Sequence, residues 1–446
     1  MPGEGLKRRL GLFPATNIVV ANMIGAGIFT TSGLLMAQLN NPILMLGLWV
    51  VGGIIALCGA IAYGELGANI PEAGGEYQFL SELYHPMLGF LSGWVSFIVG
   101  FSAPIAASAI GFSEYFLRAL PAGAALAGAD NGWSPELIKN LLSISVILVF
   151  TAIHYTGLKF GAGVQNVLTI LKVLLIVVLL GAGILSKQGD PANFIPQTGI
   201  PGGFDGWRTI GLSLMWIMFA YSGWNASTYI GAEIKSPVRN LPGSLLIGTG
   251  IVLLLYLGLN AIFIYSTPAD ELKGVIAVGG LAMKNLFGGP AETLFSMLIA
   301  FALFSSLSAF MIIGPRVYYS MAKDGLFFRS IARIHPKFNV PSNAIVLQSV
   351  IAIIMVMSGT FEQILTYMGF ALGIFPILTI LGVFRLRKRR PSAIKLKGYP
   401  VAQIIYIAAG IMILVLAYFE RPVESSIALL TVVIGIPAYY IFKRKN

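Results

Sequence analysis

The sequence predicts an all-α polytopic membrane protein with twelve transmembrane helices, and three observations carry this prediction. Of its 446 residues, 57% are hydrophobic and only 11% are charged, with a mean hydropathy of +0.83. A soluble protein of this length would need far more charge to cover its surface. Apolar stretches of about twenty residues, the length that crosses a bilayer, recur from end to end. No polar stretch is long enough to form a separate soluble domain.

Counting apolar stretches of about that length gives twelve segments. The third and eighth are long enough to be tilted or to extend beyond the bilayer. The twelve segments comprise residues 14–39, 43–69, 87–119, 136–157, 160–186, 207–232, 242–266, 290–321, 342–358, 361–385, 400–419 and 424–442.

The basic residues predict the orientation of these segments. The ends and loops on the side of the two termini hold twenty Lys and Arg residues, among them "RLRKRRPSAIKLK" (385–397), whereas the opposite loops hold seven. Because cytoplasmic loops carry the excess of positive charge, we expect both termini in the cytoplasm and the protein in the plasma membrane. The alternation also explains the net charge of +11 without a nucleic-acid partner.

Segment one contains "NMIGAGIFTT" (22–31), in which Gly25 and Gly27 lie near the middle of the span. Glycine costs about 1 kcal/mol relative to alanine inside a helix, so the pattern indicates an interruption. Close packing of neighbouring helices on small residues is the alternative. Segment six carries a second interruption, "SGWNAST" (222–228). Interrupted segments in corresponding positions of two halves point to the binding site of a secondary transporter.

The two interruptions predict the kind of ligand. An unwound helix bares N–H groups at the start of its second half, which favour an anion such as a carboxylate. The carbonyl groups bared at the end of the first half can accept hydrogen bonds from an ammonium group. Such a site suits a zwitterion, and an α-amino acid fits it without any charged side chain.

Lys172 is the ionisable residue nearest to the middle of a span, in "VQNVLTILKVLLIVVLL" of segment five. A lysine at that depth costs about 2.5–3.5 kcal/mol on insertion scales and is a functional candidate for that reason. Snorkelling to an interface is the alternative, but a dozen or so apolar residues flank it on each side. Lys172 could titrate during transport or act as a fixed cation in place of a sodium ion.

Enzyme, channel and pump functions find little support. The chain has one cysteine, Cys58, and three histidines, so neither a metal site nor a catalytic cluster is predicted, and we expect no cofactor. The P-loop pattern GxxxxGK[ST] does not occur. A channel function would not explain the two helix interruptions.

Three stretches resemble the amino acid–polyamine–organocation (APC) superfamily of transporters. "IGAGIFTTSG" (24–33) is similar to its first-helix signature, and "IPEAGGEYQFLSELYHPMLGFLSGW" (70–94) to the loop between its second and third helices. "FAYSGWNASTYIGAEIKSPVRNLPGS" (219–244) resembles the sixth helix of the bacterial L-amino-acid exchanger branch. The resemblance implies one transporter domain over 1–446, built as a five-plus-five inverted repeat with helices 1 and 6 unwound at mid-membrane. The repeats would cover about 14–186 and 207–385, followed by helices 11 and 12 (400–442).

The resemblance also implies roles for individual residues. N–H groups of the first interruption would hold the substrate carboxylate, and carbonyl groups of both would receive its ammonium group. Phe219 would be an aromatic gate, and Lys172 would replace a sodium ion. The implied substrate-binding residues are Met23, Ile24, Gly25, Ala26, Gly27, Phe219, Ala220, Ser222, Trp224 and Asn225.

The implied activity is sodium-independent transport of an amino acid by alternating access, with exchange favoured. Proton-coupled symport, and transport of cationic amino acids or polyamines, remain alternatives. Ser222 stands where the exchangers often have glycine and should narrow the pocket toward small neutral substrates, whereas Ala26 replaces a serine. Animal exchangers join a partner glycoprotein through an outer-loop cysteine, but Cys58 lies inside segment two. We therefore expect no disulfide-linked subunit, and assembly into homo-oligomers stays open.

Overall fold

The structure, a computed structural model, is all-helical over the part of the chain that it describes. It describes residue 8 and residues 10–120, 134–156, 158–196, 198–200, 202–338, 340–359, 361–390 and 394–444, without the side chains of 158–166. Among the basic residues of the charge count, Lys7, Arg9, Lys445 and the side chain of Lys159 lie outside this description.

The first half of the chain builds the helices that precede the second interruption. Their bounds are α1 (Leu12–Met23), α2 (Ala26–Leu39), α3 (Pro42–Asn69), α4 (Glu76–Leu83), α5 (Pro86–Val95), α6 (Ser102–Ala119), α7 (Pro135–Tyr155) and α8 (Leu158–Ser186). A π-helical turn, Ser96–Gly100, joins α5 to α6.

The second half follows the same pattern of long apolar helices and short connections. Its helices are α9 (Gly203–Ala220), α10 (Pro237–Ser266), α11 (Ala269–Leu272), α12 (Val278–Phe287), α13 (Gly289–Lys323), α14 (Ser342–Ser358), α15 (Phe361–Arg389), α16 (Val401–Glu420) and α17 (Pro422–Arg444).

Local sequence signals set where these helices begin. Several of them have proline in the first turn, as α3, α5, α7 and α10 do, because proline needs no N–H partner there. Asn41 caps α3 by accepting a hydrogen bond from the N–H of Leu44 at 2.9 Å. Ser134 caps α7 in the same way at Leu137. Each cap satisfies a donor that would otherwise be left bare at the helix end.

Ten helical stretches of the described chain are long and apolar enough to cross a membrane. They match ten of the twelve predicted segments, with α1 and α2 counted as one stretch and α5 to α6 as another. The predicted ninth segment forms the apolar helix α14, which has only 17 residues. The multi-pass membrane architecture is therefore established by ten helices, and the full count of twelve stays a prediction.

The structure of the sixth segment, 207–232, differs most from the membrane-spanning helix that the sequence predicts. Its helix α9 ends at Ala220, and only two short 3-10 turns, Ala226–Tyr229 and Gly231–Glu233, follow before α10. The second half of this segment is therefore not a regular α-helix. Local side chains compete for its backbone, since the Thr228 hydroxyl donates to the carbonyl of Asn225 at 2.7 Å.

The connections gather at two ends of the helical bundle. At one end the Leu10 N–H donates to the Glu233 carbonyl at 3.0 Å, and the Asn69 side chain donates to the Ile394 carbonyl at 2.9 Å. At the other end the Gly274 N–H donates to the Gly33 carbonyl at 2.8 Å. These contacts join loops that the charge count assigns to the same side, although the side that faces the cytoplasm stays a prediction.

The most buried ion pair lies at the end that holds Leu10. The fully buried Glu65 carboxylate of α3 accepts two hydrogen bonds from the Arg387 guanidinium of α15, each at 2.7 Å. It also accepts one from the N–H of Leu396 at 2.9 Å. The Arg387 guanidinium stacks 3.8 Å from the ring centre of Tyr399. This paired, hydrogen-bonded charge ties α3 to the end of α15.

We expect Glu65→Gln to lower the thermal unfolding temperature of the purified protein clearly. Removing one partner of a buried pair costs about 3–5 kcal/mol, because the other charge is left without compensation. Glu82→Gln is the matched control, since Glu82 pairs with Arg390 at a more exposed site, where such pairs contribute about 0–1 kcal/mol. Equal shifts in the two variants would contradict this assignment.

Candidate functional site

The first interruption lies between α1 and α2. Ile24 and Gly25 leave helical geometry, with ψ of 90° at Ile24 and φ, ψ of −127°, −158° at Gly25. Gly25 occupies the N-cap position of α2 and offers no side-chain acceptor, so no N-cap side chain satisfies the N–H groups of the first turn, which include those of Ala26 and Gly27. Such a helix start favours a bound anion.

The second interruption follows α9 and packs directly against the first. Gly223 has φ of +95°, and a Cβ atom built on it would lie 2.8 Å from the carbonyl carbon of Asn22. A Cβ atom on Gly27 would lie 2.6 Å from the Cα of Ala220. Both distances are below ordinary contact, so only glycine allows this approach. The two interruptions therefore meet backbone to backbone.

Lys172 of α8 reaches the first interruption with its ammonium group. The side chain is 1% exposed, and its Nζ donates to the Ile24 carbonyl, to Ser306 Oγ at 2.9 Å and to the Ala21 carbonyl at 3.4 Å. Ser306 of α13 also donates to the Ile24 carbonyl, at 2.9 Å. Three oxygen atoms thus surround the ammonium group, and two of them are carbonyls at the end of α1.

Tyr256 of α10 links the two interruptions. Its hydroxyl lies 2.6 Å from the Met23 carbonyl and 3.0 Å from the Ala220 carbonyl. These carbonyls belong to the last residues of α1 and α9. A hydroxyl has a single hydrogen to donate, so it can satisfy only one of the two carbonyls at a time.

A small cavity of about 10 Å³ lies where the interruptions meet. It has room for about one water molecule. Asn22, Pro104, Ser108 and Phe310 line it together with residues that the sequence analysis assigns to the substrate. Those predicted residues are Met23, Gly25, Ala26, Gly27, Phe219, Ala220 and Ser222.

A larger cavity of about 120 Å³ adjoins the small one. Phe219, Ser222, Asn22 and Phe310 line both cavities. The larger cavity is also lined by Trp224 and Asn225, two further residues that the sequence analysis assigns to the substrate. Nine of the ten predicted site residues thus line one or both of two adjoining cavities, and Ile24 lines neither.

Several of the carbonyl groups expected to face the substrate have partners within the protein. Met23 accepts from Tyr256, and Phe219 accepts from the N–H of Ser222 at 2.8 Å. Ile24 contributes its carbonyl to Lys172, and its side chain is buried. A substrate ammonium group would have to compete with, or be added to, these contacts.

The sequence analysis missed Ser306, Tyr256 and Glu76 as members of this region. Ser306 belongs to the run "SSLS" (305–308) within an apolar helix. Polar residues inside a membrane span indicate a functional region, so this run could have identified Ser306. Tyr256 is the tyrosine of "LLLYLGLN" (253–260), which resembles an ordinary packing residue. Glu76 lies in "PEAGGEY" (71–77), and a turn or hinge is a sufficient interpretation of this segment from its sequence.

No group of three or more His, Cys, Asp and Glu side chains that could hold a metal ion occurs in the described ranges. Cys58 is buried within α3.

Comparison with known proteins gives consistent matches over almost the whole chain. The family model described as "Amino acid permease" matches residues 10–437. A serine/threonine exchanger, SteT, of Bacillus subtilis (strain 168) is 30% identical and covers 99% of this chain and 98% of its own. The b(0,+)-type amino acid transporter 1 of Mus musculus is 28% identical, over 98% of this chain and 88% of its own. The large neutral amino acids transporter small subunit 2 of Homo sapiens is 26% identical, with coverages of 98% and 81%.

Replacing Lys172 with methionine should reduce both stability and amino acid uptake. The variant keeps the apolar stem but removes the ammonium donor to the Ala21 carbonyl and one of the two side-chain donors to the Ile24 carbonyl, and a buried group left unsatisfied costs about 1–3 kcal/mol. We expect at least about a tenfold loss of uptake, since 1.4 kcal/mol corresponds to one factor of ten. Uptake into proteoliposomes and thermal unfolding measure the two effects. Lys139→Met, at a partly exposed ion pair, is the control, and equal behaviour of both variants would refute the role of Lys172.

Proposed function

This chain belongs to the amino acid permease family, and from that premise we propose that it is a sodium-independent exchanger of small neutral amino acids. Family membership makes it a multi-pass membrane transporter of amino acids rather than an enzyme. The finer statements, which concern the substrate, the coupling mode and the binding residues, are our proposal. We place the substrate at the junction of the two interruptions.

The backbone-lined junction is the observation that carries the proposal. The residues that line the small cavity include no charged side chain. Uncapped N–H groups at the start of α2 can hold a carboxylate, and carbonyls at the ends of α1 and α9 can hold an ammonium group. A neutral zwitterion matches both without a counter-ion. The site would comprise Met23 to Gly27 with Phe219, Ala220 and Ser222, and Trp224 and Asn225 would lie next to it.

The volumes fit a closed stage of alternating access. The small cavity of about 10 Å³ cannot hold an amino acid, whereas the adjoining 120 Å³ can accept a small side chain. Phe219 and Phe310 line both spaces. In our proposal a movement of these rings joins the spaces when the substrate enters, which agrees with the gate role expected for Phe219.

The lining also supports a small substrate. Ser222 and several aromatic side chains surround the space left for the substrate side chain. The Bacillus subtilis relative is named a serine/threonine exchanger, and both of these amino acids are small. We propose a substrate range of this size and the same exchange mode for this chain.

Lys172 supports sodium independence. Its ammonium group occupies a shell of three oxygen atoms at the first interruption, and carbonyl and hydroxyl oxygens of this kind are also ligands for a hard cation. A fixed positive charge excludes a sodium ion from the same position.

We further propose the topology that the sequence implies. Twelve spans in a five-plus-five inverted repeat would place the interruption after α1 and the interruption after α9 at the start of the two repeats, near mid-membrane. Both termini would face the cytoplasm, as the basic residues indicate. Cys58 is buried, and we propose that no subunit is joined through it.

Sodium replacement tests the coupling mode. Uptake of labelled alanine into proteoliposomes should be unchanged when choline replaces sodium, and internal alanine should accelerate it several-fold by exchange. An imposed pH gradient without internal substrate separates exchange from proton symport. A strict sodium requirement, or uptake that internal substrate does not accelerate, would contradict the proposal.

Competition between amino acids tests the substrate size. Alanine and serine should inhibit uptake of labelled serine better than tryptophan does, because the space near Ser222 and Phe310 is small. Ser222→Gly removes a side chain from both cavities and should improve inhibition by larger amino acids relative to alanine. The opposite ranking in the wild-type protein would exclude a pocket of this size.

A further inference from the structure

Glu76 is a buried carboxylate that the proposed transport mechanism does not use. It is the first residue of α4, in the connection between the candidate spans Pro42–Asn69 and Pro86–Ala119. It lines the larger cavity together with Asn225 and Trp224, and only 7% of its surface is exposed. Glutamate is almost never buried to this extent unless it is paired.

The partners of Glu76 are neutral. Its Oε1 atom accepts from the Tyr63 hydroxyl at 2.7 Å and from the Asn225 amide at 3.1 Å. Its Oε2 atom accepts from the Ser92 hydroxyl at 3.4 Å. No ion pair joins Glu76 to a cation of the described chain at 4.0 Å or less. The carboxylate is thus held by hydrogen bonds from three separate parts of the fold, without a compensating positive charge.

Burial favours the neutral form of Glu76, whereas its hydrogen-bond donors favour the charged form. The titratable side chains that face it are Tyr63 of α3, Tyr229 after α9 and Tyr406 of α16. Burial raises the pKa of Glu76 to about 7, and the hydrogen bonds from Tyr63, Ser92 and Asn225 oppose this rise only in part. A glutamate in water has an ordinary pKa near 4.3.

We propose that Glu76 is a proton-binding site, which takes up a proton as the larger cavity closes around it and releases the proton to water as the cavity opens. One O–H bond forms at the carboxylate on closure, and the same bond breaks on opening. The inference rests on the proposed transport function, because the opening and closing are those of alternating access. Beyond the transport function, it states that the closed conformation binds a proton at Glu76.

The sign of the pH effect follows from linkage. The closed conformation holds Glu76 at the raised pKa, and the open, hydrated conformation restores the ordinary value. Protons therefore stabilise the closed form, and a rise in pH favours opening until the closed-state pKa is passed. If opening limits exchange, the rate should rise by up to about tenfold between pH 6 and pH 8 and level off above about pH 7.

The test is the pH profile of alanine exchange in proteoliposomes between pH 5 and pH 9, with equal pH on both sides. Glu76→Gln is permanently neutral, so its profile should be flat and close to the low-pH rate of the wild-type protein. Tyr63→Phe removes a hydrogen bond that lowers the pKa of Glu76, so its plateau should move to higher pH. This second variant keeps the carboxylate and tests the inference even if Glu76→Gln does not fold.

Two variants control for other titrating groups. Glu72→Gln changes a glutamate of the same connection, whose side chain accepts a hydrogen bond from Gln78 at an exposed site. His85→Gln changes the histidine that precedes α5 and accepts a hydrogen bond from the N–H of Met87 at 3.1 Å. Both should keep the wild-type profile. A wild-type profile in Glu76→Gln, or an unshifted plateau in Tyr63→Phe, overturns the inference while amino acid exchange stands. An absence of exchange at every pH overturns the proposed function and this inference together.

Discussion

Peptide carbonyls bared inside an apolar bundle must find donors, and this requirement organises the centre of the molecule. A buried carbonyl without a partner costs about 1–3 kcal/mol, and lipid supplies no donors. The interruption after Met23 exposes several such groups at once. The protein satisfies them from three different helices, with Lys172 from α8, Tyr256 from α10 and Ser306 from α13.

The number of hydrogen-bond donors around the two interruptions is close to the minimum that the carbonyl groups there require. Tyr256 lies within bonding distance of the Met23 and Ala220 carbonyls but can donate to only one of them. The other carbonyl is left with capacity for an additional donor. In our proposal, the ammonium group of the substrate supplies this additional donor.

The sequence predicts the features that depend on local composition. Apolar length defines most of the spans, glycines mark the interruption at Gly25, and the cost of a charge in lipid makes Lys172 a functional candidate. It cannot predict partners that are distant along the chain. Tyr256 lies 233 residues from Met23, and Glu76 lies 149 residues from Asn225, so neither pair leaves a pattern in a single sequence.

The 3-10 turns after Ala220 were beyond prediction for a related reason. Their geometry depends on contacts such as the isolated bridge between Ala73 and Ile230, which join this segment to a connection more than a hundred residues away. Helix propensity alone would have continued the segment as an α-helix. The glycines of the first interruption are visible in the sequence because glycine is costly inside a helix, whereas the aromatic and acidic lining of the larger cavity leaves no comparable signal.

Close packing also restricts which parts of the site can move. The interruptions meet at Gly27 and Gly223 without room for a single methyl group, so they cannot slide past each other without losing contact. The larger cavity is lined by residues next to this pair together with Phe101, Phe310 and residues of α15 and α16. In our proposal, an enlargement sufficient for an amino acid moves these surrounding elements away from the ends of α1 and α9. Because Glu76 lines the same cavity and bonds to Asn225, such an enlargement would hydrate its carboxylate.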